Sequence, residues 1–487
     1  MTFRAVALLT PHHPRRRSGS LHPAARQTLL AAIDAGWADP RRLHHEGRRA
    51  RGLLDQARAV LAEGLGVRPE EVSFHMGGGS AAVAAALDGL AWPQRRHARR
   101  IVASAVEHSS VLIPGRYAAA QADDPTLLEE VPVDRQGRID LDAWAVAVAR
   151  PGTAVAALQH ANGEVGTIQP VEEAYAVCSP AGVPLLVDAM ASGGRVGVPA
   201  AYDALVLDAT SVAGPPLGVL VVPGRTRFGR GGPLREAEFG RADAPAWVPL
   251  ALAAAEAWRQ CAAVADEDAQ AARELTRRIR DAVAALPDVE VAGDPDHRLP
   301  HVVTFSVLYA AGEAVVTELD RLGLGVASGS ACTASTLEPS HVLAAMGVLT
   351  HGNVRVTLPW EAVMPERAAA VDALVDALPG VVAGLRPDQP LPDQPLPDQQ
   401  RPGRQRTHQP TAPVEGVGPT PVVVDARGRR CPIPIIRIAA AATDLPEGTR
   451  IDLLATDPAT GADLSAWCRM RGHTPRAHRP RGRRRPR

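Results

Sequence analysis

The chain has no lysine; all 53 of its basic residues are arginine. Lysine is ordinarily among the commonest residues, and its absence excludes any chemistry that needs an ε-amino group, imine formation above all. Abundant Ala, Arg, Gly and Pro point to a drift of the whole composition and not to selection at one position. Aromatic residues make up only 3% of the chain, so its cores must be filled by Ala, Val and Leu. Cysteine is sparse as well: Cys178, Cys261, Cys332, Cys431 and Cys468 are five, an odd number, scattered and without a CxxC pair. That pattern argues against a disulfide framework and against a zinc site, and no metal is expected. The formal net charge is zero, so no global field draws the protein to nucleic acid or membrane. No apolar run approaches the ~18 residues of a membrane span. The start, MTFRAVALLTPHHPRRR, has its basic cluster after a short apolar run, the reverse of a secretory signal. A cytoplasmic setting is the expectation.

What is present reads as soluble globular protein, 46% hydrophobic and 22% charged over 487 residues, enough for two or three domains. Short apolar runs at Ile101–Ala105, Ala154–Leu158, Val183–Val187, Ala204–Leu207 and Val219–Val222 suit strands buried on both faces. Helical periodicity lies between and before them, as at 53–65, where Leu53, Leu54, Ala57, Val60 and Leu61 share a face. The alternation predicts an α/β fold with a mostly parallel central sheet. At Arg386 the composition changes to a repeated PDQPL segment that cannot build a core. The expected organisation is a body at 1–385, a Pro-rich linker at 386–420, a small αβ module at 421–473 and an Arg-rich tail at 474–487.

Several ordered motifs in the body resemble those of the cysteine desulfurases, pyridoxal-phosphate enzymes of the class V aminotransferase group. They are DPRRLHHEGRRA at 39–50, SAVEHSSVL at 104–112, QHANGEVGTIQP at 159–170, LLVDAMASGG at 185–194, ASGSACTASTLEPSHVLAAMG at 327–347 and NVRVTLP at 353–359. The resemblance implies the type I fold of pyridoxal-phosphate enzymes and a homodimer. It also assigns roles. His108 would stack on the cofactor ring, Asn162 would sit at the site, and Asp188 would keep the pyridine nitrogen protonated so that the ring acts as an electron sink. Arg355 would grip the substrate carboxylate, and Cys332 would take sulfur as a persulfide. Taken singly, each has a plainer reading: a turn aspartate, a solvated arginine, a structural histidine, an inert buried cysteine.

The pattern also departs from that family. Where it has a Schiff-base lysine in a Ser-Ala-His-Lys stretch, this chain has Asp208-Ala209-Thr210-Ser211, ahead of Gly214-Pro215. Ser211 thus holds the lysine position, and a hydroxyl forms no imine. The phosphate-cradling turn, Gly-Ala-Thr in the family, is Gly77-Gly78-Gly79 here; Gly78 and Gly79 retain backbone N–H groups but no hydroxyl. Asp208 replaces a serine and would face the phosphate, a repulsion of ~1–2 kcal/mol at ~4 Å even in a water-like dielectric. Ala191 stands where the family has a glutamine. These changes predict a body that no longer uses pyridoxal phosphate.

The C-terminal module carries VVVDARGRRCPIPIIRIAAAA at 422–442 and IDLLATDPATGADLSAWCRMRGH at 451–473, and resembles the TusA family of small sulfur carriers. In its Cys-Pro-x-Pro signature, Cys431 to Pro434, the thiol lies at a helix start beside Arg429 and Arg430, an arrangement expected to favour the thiolate. The match stops near His473, leaving two strands. Such a remnant exposes an edge and lacks a core of its own, so it is either marginal or seated on the body.

The function expected is sulfur trafficking, with persulfide on Cys332 and Cys431 and without intrinsic desulfurisation. Two alternatives remain open: an active desulfurase holding its cofactor non-covalently through His108 and Asp188, and a non-catalytic subunit that pairs with an active desulfurase. Expected partners are such a desulfurase and a downstream sulfur acceptor. tRNA contact by the tail is a weaker idea than a solvated segment.

Overall fold

The computed structural model describes residues 21–229, 236–328, 339–385, 421–443 and 445–476. Cys332, the linker at 386–420 and all but the first residues of the tail lie outside them.

The body's main sheet is built from β1 (Val72–His75), β2 (Arg100–Ser104), β3 (Leu128–Val131), β4 (Thr153–Gln159), β5 (Leu185–Asp188), β6 (Ala204–Asp208) and β7 (Gly218–Val221). Their order is β1-β7-β6-β5-β4-β2-β3. Only β7 runs against its neighbours, β1 and β6. The five strands expected from the sequence are all present within a residue or two at most boundaries. The two edge strands, β1 and β3, are additions that the apolar runs do not announce.

Alternation along β4 explains why the sheet is covered on both sides. Val155 and Ala157 join one apolar cluster with Ala82, Val83, Leu87, Val111 and Leu112 from the helices Gly78–Ala91 and Ser109–Gln121. Ala156 and Leu158 join another, with Leu54, Leu61, Trp144 and Ala254. Every residue of β4 is buried. The small side chains let these layers close with few aromatics.

A second sheet is antiparallel, with β8 (Val289–Ala292), β9 (Val302–Val307) and β10 (Asn353–Thr357) in the order β10-β9-β8. Helices Ala265–Ala284, Gly312–Arg321 and Arg367–Gly384 share its core.

The C-terminal module pairs β11 (Val422–Asp425) with β12 (Ile451–Leu454) in parallel, with helices Ile433–Thr443 and Thr460–Arg471. The module is seated on the body. Ile435, Ile438, Ala466, Trp467 and Cys468 share one apolar cluster with the body's Leu308 and Leu349. Trp467 Nε1 donates to Tyr309 Oη at 2.9 Å, and Arg469 reaches Glu290 at 2.6 Å. No helix among the described residues is long and apolar enough to cross a membrane.

Candidate functional site

In parallel α/β sheets, ligands gather at the carboxyl ends of the strands. Five motif segments converge there. Gly77–Gly79 follows β1, Glu107 and His108 follow β2, and His160–Asn162 follow β4. Asp188 ends β5, and Asp208 ends β6 with Ser211 in the 3-10 turn Ala209–Val212 beyond it.

The helix Gly78–Ala91 points its N-terminus at this edge, where its free N–H groups attract an anion. The anion it meets is a side chain. Gly79 N donates to Asp208 Oδ2 at 2.6 Å. The other oxygen, Oδ1, accepts from Thr210 N at 2.9 Å and Thr210 Oγ1 at 2.6 Å. Close packing seals the arrangement: a Cβ on Gly79 would come within 2.1 Å of Met190 Sδ, and one on Gly78, at φ +71°, within 3.0 Å of Asp208 Oδ2. Ser211 turns away, its Oγ donating to Asp208 O at 2.8 Å.

Behind this terminus two carboxyl groups are buried. Asp188 accepts from Met190 N at 2.8 Å. Burial, with Asp208 adding to it, pushes its pKa up to about 7. Glu107, fully buried, accepts from the backbone of Gln159 and His108. Burial first, and Asp188 second, push it up to about 8.

The other candidates are placed as follows. His108 caps the helix Ser109–Gln121, its Nδ1 accepting from Ser110 N at 3.2 Å. Asn162 is a structural hub: its Nδ2 donates to Val106 O at 3.1 Å, and its Oδ1 accepts from Glu164 N and Val165 N at 2.9 Å. Arg355, on β10, has a buried Nε with no hydrogen-bond partner among the described residues. Desolvation raises the pKa of the half-buried Glu164, and the charge of Arg355 works to lower it. Cys332 lies outside the described residues.

On the module, the expectation for Cys431 is corrected. Its thiol is half-buried, and its pKa is raised, not lowered. Burial is the main cause, and the Asp463 and Asp457 carboxylates add to it. Cys431 N donates to Asp457 Oδ2 at 2.6 Å, so the helix start is already capped by an anion. These two acids outweigh Arg429 and Arg430. Sequence reading missed them because Asp457 arrives from the turn after β12 and Asp463 from the helix Thr460–Arg471. It also missed His351 of the body, whose Nδ1 lies 2.9 Å from Asp463 Oδ2. The remaining thiols, Cys178, Cys261 and Cys468, are buried. Burial pushes the first two up to about 12.

Comparison with known proteins bears on the two parts of the chain. The aminotransferase class-V family matches residues 32–219 and 240–362, and the sulfurtransferase TusA family matches residues 422–481. The chain is 32% identical to the cysteine desulfurase IscS 1 of Archaeoglobus fulgidus over 75% of its length and 95% of that protein. It is 35% identical to a cysteine desulfurase of Cereibacter sphaeroides, covering 75% of this chain and 94% of the relative. Among solved structures, a NifS-like protein aligns with a TM-score of 0.65 at 22% identity, covering 75% of this chain and 97% of that one. DndA from Streptomyces lividans aligns at 0.58 and 26% identity, covering 73% and 99%.

Proposed function

The chain belongs to the cysteine desulfurase group of the class-V aminotransferase family and carries a C-terminal TusA domain, and on that premise we propose that it moves sulfur as persulfide on Cys332 and Cys431 without making that sulfur itself. A desulfurase-like body joined to a sulfur-carrier domain supports sulfur trafficking as the general role.

One observation carries the narrower reading. The carboxylate of Asp208 holds the helix N–H that a cofactor phosphate would need. A phosphate there would displace Asp208 or meet its charge at close range. The residues present do not fit pyridoxal phosphate in other ways too. No lysine exists to bind its aldehyde, and a hydroxyl-bearing side chain at Gly79 would have to displace Met190. Sulfur then arrives from outside, from a persulfide donor such as a separate desulfurase. The Cys332 thiolate attacks the terminal sulfur of the donor persulfide. The donor S–S bond breaks, the donor thiolate leaves, and the sulfane sulfur rests on Cys332. The same exchange passes it to Cys431, with no net oxidant or reductant. The same reading takes the body as 1–385, the linker as 386–420, the module as 421–473 and the tail as 474–487, with the TusA match running on to residue 481.

Equilibrium dialysis against pyridoxal phosphate, with a sulfide assay on L-cysteine, tests it. The proposal expects no equivalent of cofactor bound and no sulfide, and one equivalent bound with sulfide released overturns it. Arg355 favours a second reading: its buried Nε, without a hydrogen-bond partner among the described residues, suits a substrate carboxylate, as in a desulfurase with a non-covalent cofactor.

A further inference from the structure

The seam between module and body brings together three ligand-type atoms. Cys431 Sγ, a ring nitrogen of His351 and a carboxylate oxygen of Asp463 all lie within 4.8 Å of one another. Two of these residues belong to the module and one to the body. Asp463 is fully buried, and the His351 side chain is 6% exposed.

The hydrogen bonds around them are uneven. Asp463 Oδ1 is held by Thr350 N and Thr350 Oγ1, both at 2.8 Å. Asp463 Oδ2 lies 2.9 Å from His351 Nδ1, an ion pair when the imidazole is protonated, and it also interacts with the Cys431 thiol; the hydrogen-bond geometry at Oδ2 and at both ring nitrogens is poor. Buried polar atoms are normally satisfied. A proton on His351 would satisfy the pair, and so would a cation shared by all three groups, which the third donor, Cys431 Sγ, favours. The fixed Oδ1 is the outer support that ligating carboxylates usually have.

The donor set selects the ion. One sulfur, one imidazole nitrogen and one carboxylate oxygen suit a borderline-soft divalent metal, whereas calcium and magnesium take oxygen. Bond lengths of about 2.0–2.3 Å to zinc place tetrahedral donors about 3.3–3.7 Å apart, so the widest gap would close by about 1 Å and the short Nδ1–Oδ2 contact would open by a few tenths of an ångström. The charges also balance. A thiolate and a carboxylate buried together are costly alone, and a divalent cation makes the site neutral.

We propose that His351, Cys431 and Asp463 bind one zinc-type divalent ion across the seam between the sulfur-carrier module and the body. Three protein ligands leave a fourth position open. The bound ion fastens the module to the body and holds the Cys431 sulfur as a metal thiolate, withdrawn from persulfide exchange until the metal leaves. The site stands whether or not Cys431 carries sulfur. The expectation from cysteine spacing that no metal binds is the opposite claim; spacing could not register a site whose ligands come from three distant segments.

Cobalt(II) is the probe. The full-length protein, stripped with chelator and kept reduced, is titrated with cobalt chloride. The proposal expects one equivalent, with a thiolate-to-cobalt charge-transfer band and the visible bands of a tetrahedral ion. Cys431→Ser should abolish the charge-transfer band, while Cys332→Ser and Cys468→Ser keep it. His351→Ala, and His351→Gln, which retains bulk in the seam, should each weaken cobalt binding at least tenfold. Circular dichroism confirms that the variants are folded. Failure of the wild-type protein to bind an equivalent overturns the proposal. So does a charge-transfer band that survives Cys431→Ser, or cobalt affinity unchanged in folded His351→Gln.

Discussion

Asp208 Oδ2 accepts the backbone N–H of Gly79 at 2.6 Å, tying the end of β6 to the first turn of the helix Gly78–Ala91. The bond satisfies a helix terminus that would otherwise present unpaired donors to an anion. It makes the terminus a structural joint within the chain.

Asp208→Ala should therefore have two separable effects. Losing the caps on Gly79 and Thr210 should lower stability by about 1–2 kcal/mol in urea unfolding. The freed terminus should bind inorganic phosphate at least tenfold more tightly than the wild-type protein, read by calorimetry. Equal phosphate affinity in both proteins would mean that the carboxylate does not compete for the terminus.

Ser211→Lys alone should not create a desulfurase. The new amine would lie beside Asp208 and near the buried acid Asp188, where an ion pair competes with imine formation. The phosphate-binding terminus would remain taken. Sulfide release from L-cysteine with added pyridoxal phosphate should stay at background, and turnover at the level of an ordinary desulfurase would show the terminus to be available after all.

Glu107 makes stability depend on pH. Its pKa is about 8 in the folded protein, against an ordinary value of 4.5. Below pH 4.5 both states hold the proton, and no penalty exists. Between the two values the unfolded chain ionises while the folded one keeps its proton, so stability falls as pH rises. Above about pH 8 the penalty is complete. Glu107→Gln removes it. Relative to wild type, the variant should gain stability on the order of 1–2 kcal/mol at pH 8 and little or nothing at pH 4. Parallel melting curves across that range would reveal a constant difference if burial of the acid is not the cause.

Much of this architecture is legible in the sequence, for a physical reason. Strands covered on both faces must be continuously apolar, so β2, β4, β5, β6 and β7 announce themselves. The edge strands do not: β1 carries Ser73 and His75, and β3 carries Glu129 and Glu130. The candidate site is legible where its residues follow strands, as Asp188 and Asp208 do. That Asp208 sits on the helix terminus as an internal anion is a matter of distance, and only its charge could be read in advance. Cys431 was misread because Arg429, Arg430 and the helix start are local, whereas Asp457, Asp463 and His351 are brought to it by folding.

The module's seat on the body should control Cys431. Trp467 is 4% exposed and bonded to Tyr309 across the seam. Trp467→Ala should cost about 3–5 kcal/mol of docking and packing. Alkylation of Cys431, followed by mass spectrometry, should then speed up at least tenfold, while Cys178 and Cys261 in the main core stay protected. An unchanged rate at Cys431 would mean that the seam does not shield it.

The most direct test offers the purified protein two sulfur sources in parallel and maps sulfane sulfur by mass spectrometry. One sample receives a small-molecule persulfide, the other L-cysteine with pyridoxal phosphate. A protein that moves sulfur but cannot make it should carry label on Cys332 and Cys431 from the persulfide, with Cys431 losing most of its label in Cys332→Ala. It should carry none from L-cysteine. Label on Cys332 from L-cysteine and pyridoxal phosphate alone would contradict the account.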